Sequence, residues 1–185
     1  APFRTEAYSE YKANRSATPE EFRGQIPLIE QVLDALAIPR LGIQDYEADD
    51  VLATLALTGG DAGMDVLICS GDRDTIQLVN DRVQILYPRK GVSDLARMDA
   101  AAVEERYGVP PQRYSDLAAL VGESSDNLPG VPKVGPKTAA KWILSYGDLD
   151  GIIGNAGAIG GVAGENLRAH LDQVIVNRQL NRLHT

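Results

Sequence analysis

Apolar positions along the chain fall in stretches of differing period. Between Phe22 and Leu36 the steps are four and three, so Phe22, Ile26, Ile29, Leu33 and Leu36 line one face of a helix. Thr18 is placed to cap it, Pro19 to begin it and Glu21 to close a capping box, while Pro27 should kink it or shift its start. Ahead of it, "TEAYSEYKANR" has helical character with little apolar face, which predicts a short exposed helix or mobile segment. "DYEADDVLATLAL" predicts a further helix with Val51, Leu52 and Leu55 inward. After the turn-rich "TGGDAGMD", "VLICS" predicts a buried strand, "GDRDTIQLV" a short helix, and "VQILYP" a second strand with "RKG" as its turn. The rest is helical: "DAAAVEERYG", "DLAALVG", "PKTAAKWILSYG" and "ENLRAHLDQVIVNRQLNRL", with "GIIGNAGAIGGVAG" as a glycine-rich loop. Strands separated by helices indicate an α/β protein with a parallel-sheet core and an all-helical second half.

At 185 residues the chain is long enough for one domain with a proper core and a small helical appendage. Hydrophobic residues make up 44% and charged residues 24%, as in ordinary soluble globular proteins. No apolar run is long enough to span a membrane, and nothing in the sequence reads as a signal peptide. The one cysteine, Cys69, cannot form an internal disulfide and reads as a strand core residue, which suits a cytosolic protein. His170 and His184 read as surface or packing residues. The net charge of -8 would by itself argue against a nucleic-acid partner. Distribution matters more, because carboxylates that hold divalent cations are far less acidic when loaded.

Three acidic groups carry the candidate chemistry. Asp72 and Asp74 in "GDRD" follow a strand, where open α/β sheets place ligand sites. Two positions apart in an extended loop, they can face one side, and hard oxygen ligands suit Mg2+ or Mn2+. Taken alone, "GDRD" reads better as a helix cap, with Asp74 capping and Gln77 closing the box. Glu47, Asp49 and Asp50 in "YEADD" open a helix, where acids favour the dipole. Three in four residues exceeds what that effect explains. Glu123 and Asp126 in "GESSDN" fit an acidic turn ending a helix.

A basic hairpin follows at once in "LPGVPKVGPKTAAKWI". Gly130 and Gly135 can take positive φ and leave backbone N–H groups bare ahead of a helix N-terminus, a ready anion site. Lys133, Lys137 and Lys141 add charge, the last two on one helix face, and Thr138 adds a hydroxyl. Such a module grips a sugar-phosphate backbone without reading bases.

In order, "FRTEAYSEYKANR", "YEADD", "SGDRD", "GESSDNLPGV" and "GPKTAAKWI" span Phe3 to Ile143. Together they resemble the 5′-nuclease family, flap endonucleases and the 5′→3′ exonuclease domain of bacterial DNA polymerase I. The resemblance implies a PIN-like nuclease core over residues 1–110, with a basic arch-like segment at 5–25. It implies a helical DNA-binding region with a helix–hairpin–helix (H3TH) over 111–185. The implied activity is phosphodiester hydrolysis in DNA at 5′ ends and 5′ flaps, in replication and repair, with two Mg2+ or Mn2+ ions. Glu47 and Asp49 would hold the first metal, and Asp72, Asp74 and Asp126 the second. Asp50 and Glu123 would help from outside the direct ligands or through water. Lys12 and Arg15 match basic residues set against the scissile phosphate, and a K+ ion would join the hairpin to DNA. A fused polymerase domain and a place with the nucleoid in the cytoplasm, away from membranes, also follow from the resemblance.

Three departures are expected to matter. The family's opening strand with a metal-binding Asp, and a second Asp before "FR", have no counterpart here, which leaves the first metal site incomplete. Glu123 replaces the usual Asp, and Lys133 stands where the hairpin would have Gly. A DNA-binding module without catalysis is the alternative reading. RNA cleavage is a third, against which a hairpin suited to B-form duplex counts.

Overall fold

The structure is a computed structural model describing residues 1–91 and 93–185. It opens with α1 (Pro2–Ala7), a run of turns to Asn14, α2 (Glu20–Arg23) and α3 (Ile26–Ala35). Pro27 lies in the first turn of α3, where a missing N–H costs nothing, so the expected single helix is split. Pro19 stands at the α2 N-cap with no side-chain hydrogen bond, and the Thr18–Glu21 box does not form. The apolar stripe exists but is not inward: Phe22, Ile26, Ile29 and Leu36 are exposed and Leu33 is half-buried.

α4 (Ala48–Asp61) buries Ala53 and Ala56 with Asp50; Val51 and Leu52 are half-buried and Leu55 is exposed, against expectation. β1 (Val66–Cys69) runs parallel to β2 (Val83–Lys90), and β3 (Asp94–Met98) returns antiparallel to β2. The sheet order is β1-β2-β3 and its pairing is mixed, where the pattern predicted parallel strands alone. The cause is "RKG", whose Gly91 at φ 64 closes a hairpin. "VLICS" is not a buried strand either. β1 is an edge strand with Ile68 inward and Leu67 and Cys69 exposed.

The second half contains α5 (Ala100–Tyr107), α6 (Tyr114–Val121), the two-stranded β4 (Gly122–Glu123) and β5 (Leu128–Pro129), and α7 (Pro136–Tyr146). The glycine-rich stretch then forms α8 (Leu149–Gly154), a short loop and the start of α9 (Gly161–Ala169). Asp148 caps α8 by accepting from Gly151 N, and Leu149, Ile152 and Ile159 are buried. Cap and burial outweigh the poor helix propensity of glycine there. The expected last helix breaks at His170 into α9 and α10 (Leu171–Asn181).

Ile76, Val83 and Ile85 of the sheet half share one buried cluster with Leu120, Ile143, Leu149 and Leu167 of the helical half. The acidic loops and the basic hairpin are therefore mounted on one continuous core. Among the described residues no helix is long and apolar enough to cross a membrane.

Candidate active site

Three chain reversals deliver carboxylates to one place. At the α4 N-terminus, Glu47 is the N-cap and forms a reciprocal capping box with Asp50, which leaves Asp49 in the first turn. After β1, the short 3-10 helix Arg73–Leu78 is capped by Asp72, whose Oδ1 accepts from Asp74 N at 3.0 Å. The cap is thus Asp72 and not Asp74, and the Asp74 carboxyl is left facing the other acids. Asp126 sits in the third reversal, the tight turn between β4 and β5. That turn needs glycine at both ends. A Cβ on Gly130 would lie 2.0 Å from the Val121 carbonyl oxygen, and one on Gly122 would lie 2.3 Å from Gly130 N.

Basic groups close the cleft from the N-terminal segment. Lys12, at φ 57, donates its backbone N–H to the Asp126 carbonyl at 2.9 Å. Its Nζ lies 2.6 Å from Glu47 Oε2 and 3.7 Å from Asp126 Oδ2. Arg15 pairs with Asp126 Oδ1 at 2.7 Å, and Arg73 pairs with Glu123. Tyr11, buried, places its hydroxyl 3.4 Å from Glu47 and 3.3 Å from Asp126. Arg15, Asp72, Asp74, Tyr87, Glu123 and Asp126 line a cleft of about 400 Å³.

The charges report on the surroundings. Burial, then Asp72, Asp126, Glu123 and Asp49, push the Asp74 carboxyl up to about 8. Burial and Asp72 raise Asp49. Burial also pushes Glu47 upward, but Lys12 and Arg4 outweigh it and hold Glu47 below its ordinary value. Asp50 opposes burial in the same way, through Arg4 and two backbone N–H donors, and lies at about 2.

Glu47, Asp49, Asp72, Asp74, Glu123 and Asp126 thus converge, while Asp50 lines a separate, apolar hollow. Among the described residues no group of three or more acidic, His or Cys side chains is set closely enough to hold a metal ion. Lys12, Arg15 and Arg73 neutralise Glu47, Asp126 and Glu123 instead. In donor chemistry the site fits a hard divalent cation: every candidate ligand is a carboxylate oxygen, and Asp74 retains surplus negative potential around it. Sequence reasoning missed Arg4, Tyr11 and Arg73, although all three lie inside the stretches "FR", "YKANR" and "GDRD".

The hairpin stands directly beyond Asp126. Val131 and Val134 plug it into the core, and Val131 N donates to the Leu120 carbonyl at 2.9 Å. The hairpin does not use the positive φ open to Gly130 and Gly135; Lys133 takes it instead, at φ 66. Gly130 is needed for close approach, and Gly135 is an extended N-cap to α7 without a side-chain cap. The first-turn N–H groups of α7 are therefore bare beside exposed Lys133 and Lys137, with half-buried Thr138 and exposed Lys141 following.

Comparison with known proteins gives the class. Residues 1–108 match the family described as 5′-3′ exonuclease, N-terminal resolvase-like domain, and residues 109–185 match 5′-3′ exonuclease, C-terminal SAM fold. The chain belongs to the 5′-3′ exonuclease family. It is 54% identical over 181 residues to DNA polymerase I of Mycobacterium leprae, covering 98% of this chain and 20% of that protein. It is 42% identical over 187 residues to the thermostable DNA polymerase I of Thermus thermophilus, covering 99% of this chain and 22% of that one. The chain thus spans about a fifth of the length of these curated relatives. Its fold matches the T5 D15 protein co-crystallised with metal ions, with a TM-score of 0.82, 26% identity, and coverage of 98% of this chain and 71% of that one. A T5 D15 flap endonuclease structure with DNA and metal ions matches with a TM-score of 0.80 at 26% identity, covering 98% and 70%. The α/β core with a helical second half is the architecture of this family.

Proposed function

We propose that this 5′-3′ exonuclease domain hydrolyses phosphodiesters at DNA 5′ ends and at the base of 5′ flaps, with two Mg2+ or Mn2+ ions. The observation that carries this is the convergence of carboxylates from three separate loops on one cleft, four residues ahead of the basic hairpin. Glu47 and Asp49 would hold one cation and Asp72, Asp74 and Asp126 the other, with Glu123 acting through water, once Lys12 and Arg15 turn from Glu47 and Asp126 and the carboxylates draw together. Divalent cations bound there would supply an activated water and neutralise the leaving oxygen.

The chain's own groups do the remaining work. Lys12 and Arg15 pair with Glu47 and Asp126 and are positioned to turn toward a bound phosphate, where they stabilise developing charge. The Tyr11 hydroxyl bridges Glu47 and Asp126 and fixes their spacing. Lys133, Lys137, Thr138, Lys141 and the bare amides of α7 hold the duplex backbone behind the cut, with a K+ ion at the hairpin carbonyls. The T5 structure holding both DNA and metal ions supports this reading. Identity to DNA polymerase I over a fifth of its length supports a fused polymerase domain and a place with DNA in the cytoplasm.

Incubation with a 5′-flap DNA and Mg2+ or Mn2+ tests the proposal. Cleavage is expected, and it should be lost with a chelator or in Asp72→Asn. Binding of the flap without cleavage would reduce the protein to a DNA-binding module.

A further inference from the structure

Arg4 and Asp50 do not line the cleft, although Arg4 Nη1 lies 3.9 Å from Glu47 Oε2. They are among the most buried charged residues, at 2% and 1% exposed. Arg4 Nη1 and Nη2 donate to the two Asp50 oxygens, each at 2.7 Å. Asp50 Oδ1 also accepts from His184 N at 2.9 Å, and Oδ2 from Glu47 N at 3.1 Å. The carboxylate therefore receives four donors, about as many as its lone pairs can take. Arg4 gives two more N–H groups to the carbonyls of Leu180 at 3.2 Å and Arg182 at 3.3 Å. One buried pair thus ties α1, the first turn of α4 and the segment leaving α10.

We propose that Arg4 and Asp50 form a positioning clamp for the nuclease site, and that Asp50 is not a metal ligand. Of the two supporting roles that the family resemblance implied for Asp50, this takes the one outside the direct ligands rather than the one through water, and it rests on reading the cleft as a nuclease site. The clamp acts on both sides of that cleft. Through Glu47 N it sets the N-cap whose side chain meets Lys12 at 2.6 Å. Through α1, whose Arg4 carbonyl accepts from Tyr8 N at 3.0 Å, it anchors the segment carrying Tyr11, Lys12 and Arg15. Recruiting Asp50 to a cation would strip these donors and take from the buried Arg4 guanidinium the carboxylate it is bidentate to, a loss that is costly in a buried pair.

Asp50→Asn, Arg4→Lys and the double variant test this in flap cleavage, Mn2+ binding followed by electron paramagnetic resonance, and thermal unfolding. A clamp predicts that each single variant lowers kcat by about 10²-fold with KM for DNA little changed, as misplacement of reacting groups does. It predicts that the double variant is no worse than the poorer single one, that Mn2+ stoichiometry is unchanged, and that any loss of Mn2+ affinity is shared equally by the two single variants. Weaker Mn2+ binding in Asp50→Asn alone, the loss of one Mn2+ from the stoichiometry in that variant, or multiplying effects would overturn it. Mn2+ binding is read without cleavage, so failure of the nuclease reading shows separately, as an inactive wild type. Should the variants unfold, amide exchange of His184 in the wild type decides the matter. Protection unchanged by Mg2+ supports the clamp, and faster exchange on adding Mg2+ rejects it.

Discussion

Lys12 Nζ lies 2.6 Å from Glu47 Oε2, joining the first basic residue of the N-terminal segment to the first carboxylate of α4. The pair holds Glu47 ionised despite its burial. Lys12→Ala should therefore lower kcat for flap cleavage by about 10²–10³-fold, the usual cost of removing one electrostatic stabiliser. A rate within threefold of wild type at saturating Mg2+ would count against a role at the phosphate.

Asp74 gives the site a pH signature. In the folded chain its carboxyl keeps a proton up to about pH 8, whereas in an unfolded chain it releases it near about 3.9. The folded state binds more protons between these values, so this contribution to stability is full below about pH 4 and falls as pH rises toward 8. Asp74→Asn should be more stable than wild type at pH 8 without divalent cation, by about 1–2 kcal/mol, and equal to it near pH 4. Urea unfolding at both pH values checks this. Mg2+ should stabilise the wild type more than the variant, because it relieves the same repulsion.

Gly130 is fixed by sterics. A methyl group there would sit 2.0 Å from the backbone oxygen of Val121. Gly130→Ala should destabilise the protein by about 3 kcal/mol or more, through backbone displacement in the turn that presents Asp126. Thermal melting reads it directly, and a drop in Tm of only a degree or two would show that the turn relaxes.

Lys133 stores strain at φ 66. Lys133→Gly should stabilise the hairpin by about 0.5–1 kcal/mol while weakening duplex binding. Tm and DNA affinity moving in opposite directions is the expected result; both falling would mean that the lysine side chain supports the fold.

Lys137, exposed in the first turn of α7, should contact backbone phosphate alone. Lys137→Ala should weaken binding about equally for duplexes of different sequence and reduce the slope of log K against log salt by about 1. Sequence-dependent loss would contradict a backbone grip.

Much of the molecule was legible in its sequence. Local order in the chain marks caps, turns and helix faces, so α5, α6 and α7 lie where the pattern put them. The acidic motifs followed by a basic hairpin marked the family, because their order and spacing are fixed along the chain. Tertiary structure decided what periodicity cannot carry. The stripe Phe22 to Leu36 is a real helix pattern, but a pattern does not say what lies opposite it, and the stripe is exposed. The "RKG" turn became a hairpin because β2 offered an edge to β3. Above all, "YEADD" places three carboxylates in four residues without saying what each one meets. Only folding set Asp50 against Arg4 and His184, 46 and 134 positions away, and turned it from the cleft that its neighbours face. Such pairings depend on where distant segments meet, and no local spacing encodes that meeting.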